Sequence, residues 1–226
     1  MLVYLTIALA GVVCWLSFLL ARQQAVSAQA ARAAVFDGCI DLIDSPHVTP
    51  GREFGVLRGN FEGLPIKAAL LADTLAVRKL PALWLMIDVV SPLVTWPVID
   101  FLIRPSNTEF WSPAWALEHE LFIPESWPQH ALLRTESPEV GSRIRVLDRH
   151  IIAFNDARMK ELLITPRGVR LVYLADEGRR AHYGVLRQAR FDGLPLARDL
   201  LARLLGLATA LHRDLRTTNF VCAPTE

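Results

Sequence analysis

The first residues of the chain are almost uniformly apolar: residues 1–20 contain no charged side chain, and the first one is Arg22. A helix of that length rises about 30 Å, which matches the hydrocarbon core of a bilayer. We therefore expect a transmembrane anchor over residues 1–21 that contacts the lipid bilayer through residues 1–20. A cleaved secretory signal with a site at residues 28–30 is the alternative, although no Lys or Arg precedes the apolar run.

The pattern becomes strand-like after residue 52. Residues 53–61 and 64–70 are two short extended runs on either side of a Glu-Gly pair at 62–63. An acidic residue followed by Gly between two such runs is a signal for a β-hairpin. A helix over residues 65–79 is the competing interpretation, because Pro suits a first helical position and Ala and Leu follow it.

The most apolar internal stretch covers residues 80–103, which is long enough for a second membrane span. Three prolines interrupt it: Pro81, Pro92 and Pro97. Prolines break a single helix but separate short buried strands without cost. We therefore expect two core strands at 84–90 and 98–104, with a second span or re-entrant segment as the alternative.

Two interpretations fit the region after Gly141. Asp156 is a plausible N-cap for a short helix that ends at Leu163. Alternatively, residues 160–165 and 169–174 pair as a hairpin across a Pro-Arg-Gly turn. A further strand is expected within residues 179–191.

The clearest periodicity lies near the C-terminus. Leucines recur there at helical spacing: Leu196, Leu200, Leu204, Leu207, Leu211 and Leu215. Pro195 suits the first position of a helix. The pattern predicts an amphipathic helix over residues 195–215 that covers one face of a sheet. The predicted fold class is therefore α+β: an N-terminal single transmembrane helix, then a mostly antiparallel sheet domain covered by a C-terminal amphipathic helix.

This interpretation divides the chain into an anchor (1–21), a stalk or linker (22–38), an α+β domain (39–216) and a tail (217–226). The sequence GVLR occurs at 55–58 and again at 184–187, each followed by a Gly-Leu-Pro. The echo suggests two related halves, 40–130 and 140–215. Shared turn chemistry is the alternative explanation.

Charge and cysteine content suggest a location. Arg22 and Arg32 lie just after the anchor, so the positive-inside rule places the domain in the cytoplasm, with the periplasm as the alternative. Cys39 and Cys222 are then expected to be free thiols. The chain after the anchor has a general resemblance to uncharacterised single-span bacterial proteins, which implies the bacterial inner membrane and no particular activity. The formal net charge of +1 argues against nucleic acid as a partner.

No motif in the sequence specifies a reaction. The six histidines have no metal-ligand spacing, and no Gly-rich phosphate loop or G-x-S-x-G elbow is present. We therefore predict no catalytic residue, no cofactor and no metal site.

Tryptophan is the one distinctive residue type. Five of the six tryptophans lie within residues 84–127. Trp favours interfaces because its ring is apolar while its N–H needs a partner. Trp111, Trp115 and Trp127 are our candidate partner-binding residues; the alternative is that they fill the core.

These observations favour a membrane-anchored, non-catalytic accessory or scaffold subunit of a membrane protein complex, with an integral membrane protein as partner. A membrane-tethered domain that binds a lipid or a small ligand is the alternative. An enzyme of unrecognised class is the third hypothesis.

Overall fold

The computed structural model describes residues 4, 11–12, 15–20, 22–23, 30, 32, 34–51, 53–74, 80–178, 191 and 194–218. The strands are β1 (Asp44–Thr49), β2 (Val56–Phe61), β3 (Leu64–Asp73), β4 (Ala82–Val89), β5 (Ile99–Ile103), β6 (His119–Glu120), β7 (Ala131–Thr135), β8 (Met159–Thr165) and β9 (Gly168–Glu177). The α-helices are α1 (Asp148–Ile151) and α2 (Arg198–Thr217). Short 3-10 helices occur at Asp37–Leu42, Ala114–Ala116, Pro138–Ser142, Ile144–Leu147 and Ile152–Asn155.

All nine strands form one sheet in the order β1-β2-β3-β4-β9-β8-β5-β7-β6, and every neighbouring pair is antiparallel. The helix α2 packs on β4 and β9. The expectation of an antiparallel sheet with a C-terminal helix against it is therefore confirmed.

The transmembrane part of the predicted fold class is wrong. Within the described residues, no helix combines the length and the apolar character that a bilayer crossing requires. The helix α2 has 20 residues but carries charged side chains along its length, including Arg203 and Asp214.

The main core lies between α2 and one face of the sheet. Alternate residues of β4 point to this face and are buried, as Leu83, Leu85 and Ile87 show with 0% exposure each. Leu204 and Leu211 of α2 are likewise 0% exposed. The leucine spacing thus marks the buried side of the helix correctly, although α2 begins at Arg198 rather than at Pro195.

Two hairpins are decided by their turns. The β2–β3 hairpin is confirmed: Glu62 and Gly63 have φ of 50° and 79°, as a two-residue type I′ turn requires. The helix at 65–79 is therefore wrong as far as Asp73, where β3 ends. The hairpin of β8 and β9 is confirmed by pairing of Thr165 with Gly168. The alternative helix from Asp156 to Leu163 is wrong, because the Asp156 carboxylate accepts the Arg158 N–H within a turn that leads into β8.

The strands predicted around 84–90 and 98–104 are confirmed as β4 and β5. The strand expected within 179–191 and the second GVLR copy at 184–187 lie outside the described residues, apart from residue 191.

Candidate functional site: a tryptophan-walled pocket

The face of the sheet opposite α2 carries a row of side chains that are all polar except Leu163. One residue from each strand takes part, and each is the direct cross-strand partner of the next: His47, Arg58, Lys67, Asp88, Arg170, Leu163, Asp100, Arg134 and Glu120. Opposite charges in the row pair, since Asp88 accepts from Arg170 at 2.6 Å and from Lys67 at 3.4 Å. Arg134 contacts Glu120 at 3.2 Å. This face is therefore an ion-paired surface and not a second core.

Residues 104–118, which we name the covering segment, lie over part of this polar face. Hydrogen bonds attach the segment to the strands, among them Arg104 N–H to His130 O at 2.8 Å, Ser112 Oγ–H to Asp100 Oδ2 at 2.8 Å, and Arg134 Nη1–H to Leu117 O at 3.0 Å. The side chains of Ala114 and Leu117 are buried. Apart from the 3-10 helix at Ala114–Ala116, the segment has no regular structure, so individual hydrogen bonds and side-chain contacts hold it in place.

A pocket of about 490 Å³ opens between the covering segment, the beginnings of β4 and β8, and the end of β9. Trp84 of β4 and Trp111 of the covering segment form its aromatic wall, with ring centroids 5.1 Å apart and planes tilted by 48°. Charged side chains of both signs complete the lining, including Asp73, Arg104 and Lys160. The pocket is thus apolar on one side and charged on the other.

A buried ion pair forms part of that charged side. Lys160 Nζ lies 2.6 Å from Glu109 Oε1, and the two side chains are only 9% and 1% exposed. Burial alone would raise the pKa of Glu109, but hydrogen bonds from Lys160 and Ser106 outweigh it and hold the pKa at about 2. Lys160 Nζ also donates to the carbonyls of Ile103 and Arg104. These acceptors hold the ammonium group in place and keep it charged, so Lys160 is unsuited to act as a nucleophile.

A second pair of acids lies beneath the covering segment. Asp100 of β5 and Glu161 of β8 occupy diagonal positions on the polar face, and both are 0% exposed. Burial, and then the neighbouring Glu161, raise the pKa of Asp100 to about 8. Burial also raises the pKa of Glu161. Among the described residues, Asp100 Oδ1 and both Glu161 oxygens have no hydrogen-bond donor, which is the situation that one proton shared between two carboxylates resolves.

The three predicted tryptophans occupy different environments. Trp111 is half-buried in the pocket, and Trp115 is 47% exposed on the covering segment. Trp127 is 3% exposed, packs edge-on against Phe101 and donates its Nε1–H to Asp148. Only Trp111 and Trp115 can therefore contact another molecule without disruption of the core.

Sequence reasoning missed the four ionisable residues of this region: Asp100, Glu109, Lys160 and Glu161. The available signal was a carboxylate inside an apolar run, as in VIDFLI for Asp100 and KELLIT for Glu161. Such an acid needs a compensating partner when it is buried. The sequence alone cannot name that partner.

Two other reactive side chains in the described part of the chain, Cys39 and His150, are engaged in structural contacts. Cys39 is fully buried, its Sγ lies 3.4 Å from Leu196 O, and burial raises the pKa of its thiol. His150 is 6% exposed and pairs with Asp214 at 2.5 Å. No group of three or more potential metal ligands occurs among the residues that the structure describes. Cys222 lies outside them.

Comparison of the chain with models of protein families, with curated proteins and with solved structures found no match in any of the three.

Proposed function

We propose that this protein is a binding module that holds a small organic ligand in the pocket beside Trp84 and Trp111. The observation that carries the proposal is the combination of an aromatic wall with fixed charges of both signs around a volume of about 490 Å³. Ligand sites are typically concave, of about 300–1,000 Å³, with apolar walls and a few placed polar groups. The pocket meets this description.

The chemistry of the lining favours binding over turnover. Glu109 and Lys160 are locked against each other, so neither is available as a base or a nucleophile. Their fixed geometry instead offers a pre-organised dipole to a polar ligand, while a planar ring can pack against the indoles. The ligand class is therefore a ring-bearing molecule with at least one polar substituent.

Three fragments test this proposal: benzyl alcohol, benzoate and benzylamine, which share a phenyl ring and differ in charge. Binding is measured by ligand-observed NMR titration against the full chain. Ala157 is exposed and lines the pocket, so Ala157→Trp should block it. Ala210 is exposed on α2 and does not line it, so Ala210→Trp is the matched control.

We expect at least one fragment to bind the wild type and the Ala210→Trp variant at millimolar or lower concentration, and to lose at least ten-fold in affinity in Ala157→Trp. Equal binding to all three proteins, or no binding by any fragment, contradicts the proposal. Trp111→Ala should weaken fragment binding, whereas Trp115→Ala should leave it unchanged, because only Trp111 lines the pocket.

A second candidate function is that of a non-catalytic accessory or scaffold subunit with a protein partner. Exposed aromatic side chains on and next to the covering segment support it: Phe110 is 57%, Trp115 47% and Phe122 82% exposed. Exposed aromatics often mark protein contacts. The test is cross-linking at Phe122 in the native host, followed by identification of the cross-linked protein. A partner cross-link that persists at full yield in a Trp115→Ala, Phe122→Ala double variant carrying the cross-linker at Phe110 would contradict the surface assignment.

A further inference from the structure

The acid pair and the pocket share the same structural element. Ser112 of the covering segment donates its hydroxyl to Asp100, and its neighbour Trp111 forms a wall of the pocket. Glu109, three residues before Ser112, contributes to the pocket lining and pairs with Lys160. Any change at Asp100 is therefore transmitted to the pocket through a few residues of one irregular segment.

We propose that the covering segment is a lid over the pocket, and that the lid opens together with release of the proton shared by Asp100 and Glu161. The inference rests on the proposed function in one respect: it takes the pocket to be the ligand site that the lid covers. The main support is geometric. The carboxyl groups of Asp100 and Glu161 are fully buried beneath the covering segment, which has almost no regular backbone structure of its own.

The physical reason is the cost of a second buried negative charge. With one proton between them, the two carboxyl groups can hydrogen-bond to each other and stay dry. Without that proton, two like charges remain next to each other in a medium that solvates them poorly. Water must then reach them. Displacement of residues 104–118 would expose Asp100 to water and leave the β5–β8 pairing intact. The lid is therefore the element that we expect to open.

The groups that face the pair from other elements do not remove this cost. On β9, Arg170 faces Glu161, but its side chain is already bonded to Asp88 of β4. On β7, Arg134 is the cross-strand partner of Asp100, but its guanidinium contacts Glu120 and the Leu117 carbonyl.

Within the covering segment itself, the Ser112 hydroxyl donates to Asp100 and also favours a charge on Glu161, the Ala114 N–H faces Asp100, and Glu109 is paired with Lys160. Lys160 favours the ionised form of Glu161 at longer range. The arginine and the lysine thus favour a charge on Glu161. Asp100 is left as the group that must hold the proton while the lid is closed.

The direction of the pH dependence follows from proton linkage. The pKa of Asp100 is about 8 when buried and near its ordinary value of 3.8 when exposed. The open form therefore binds fewer protons than the closed form between these two values. Opening becomes easier as pH rises through this range, by up to ten-fold per pH unit, and levels off above about pH 8.

Hydrogen–deuterium exchange of the full chain tests the proposal without any ligand. The reporters are amides of the lid, such as Ala114 N–H and Ala116 N–H, which donate within the segment. Amides of β4 report opening of the whole sheet. Wild type and Asp100→Asn are compared at the same pH, from pH 5 to pH 8, so that the intrinsic pH dependence of exchange cancels. Glu118→Gln, at an exposed position of the lid, is the matched control.

We expect the ratio of lid exchange in wild type to that in Asp100→Asn to rise by up to about ten-fold per pH unit from pH 5 to pH 8. The Glu118→Gln variant should behave as wild type, and β4 should stay protected. Glu161→Gln removes the like charge, so lid exchange in this variant should depend less on pH than in wild type. If Asp100→Asn does not fold, the comparison of wild type with Glu161→Gln tests the proposal instead. A ratio that is independent of pH, or lid and β4 exchange that increase by the same factor, overturns the proposal.

The outcome is separable from that of the proposed function. A lid that responds to pH in a protein that binds no fragment contradicts the binding role alone. Fragment binding with a lid that does not respond contradicts the lid alone.

Discussion

The buried Glu109–Lys160 pair allows a quantitative prediction about stability. Replacement of Lys160 by Met keeps most of the aliphatic stem and removes the ammonium group. Glu109, whose side chain is 1% exposed, then loses the cation that lies 2.6 Å away and keeps donors from Ser106 and Thr108. A buried carboxylate without its cation is strongly destabilising, because neither water nor a counter-charge solvates it.

Two routes give the same magnitude. Removing one partner of a buried ion pair typically costs about 3–5 kcal/mol. The pKa of Glu109 lies at about 2 instead of 4.5, which at about 1.4 kcal/mol per pH unit corresponds to about 3 kcal/mol; this is the net effect of burial and of the bonds from Lys160 and Ser106 together. We therefore expect Lys160→Met to lower the free energy of unfolding by about 3 kcal/mol at pH 7.

The pH dependence has a definite sign. A carboxyl group whose pKa is lowered in the folded state stabilises the fold above its unfolded pKa, and this contribution is lost as pH falls. For Glu109 the loss occurs between about pH 4.5 and pH 2. The difference between wild type and Lys160→Met should therefore be largest above pH 5 and shrink below pH 4.

Urea denaturation followed by circular dichroism at pH 7 and pH 3 measures both effects. The double variant Lys160→Met, Glu109→Gln is the control. It removes the orphaned charge and should recover at least 1 kcal/mol relative to Lys160→Met. A Lys160→Met protein within about 0.5 kcal/mol of wild type at pH 7, or a double variant less stable than the single one, would refute the reasoning.

Three further predictions concern the core and one turn. Leu204→Asp should destabilise the fold by several kcal/mol because Leu204 is fully buried against the sheet, whereas Arg203→Asp at the half-exposed neighbour should cost about 1 kcal/mol; equal losses of melting temperature would contradict the assigned helix face. Trp127→Ala should cost about 3–5 kcal/mol and Trp115→Ala almost nothing, as urea denaturation would show, and a reversed order would exclude Trp127 from the core. Gly63→Val should cost about 1–2 kcal/mol in the same assay because Gly63 has a φ of 79°; an unchanged midpoint would rule out a strained turn.

Local chemistry explains why the sequence predicts several elements correctly. The β2–β3 hairpin depends on Gly63, which reaches a positive φ without steric cost. The buried side of α2 follows from leucines spaced by three and four, because that spacing places them on one side of a helix. Prolines at the ends of apolar runs mark where β4 and β5 stop or start. Each signal acts within a few residues and needs no distant partner.

Sequence patterns predicted the wrong structure where one local pattern is compatible with two different elements. Asp156 is a good N-cap by residue type, yet it serves a turn before β8, because pairing of β8 with both β5 and β9 stabilises the strand. Apolar content over residues 1–20 satisfies one requirement of a membrane span. A span also requires a continuous helix of that length and character, which no described helix provides.

The pocket depends on the tertiary structure alone. Its wall joins Trp84 of β4 to Trp111 of the covering segment, and its ion pair joins Glu109 to Lys160 of β8. These residues meet because β9 and β8 lie between β4 and β5 in the sheet, although β4 and β5 are consecutive in the chain. Periodicity in a single sequence reveals which side of a strand is buried, but not which strand lies beside it. Hydrophobic and polar spacing therefore determined the elements, and the long-range pairing of strands decided which of their side chains form a site.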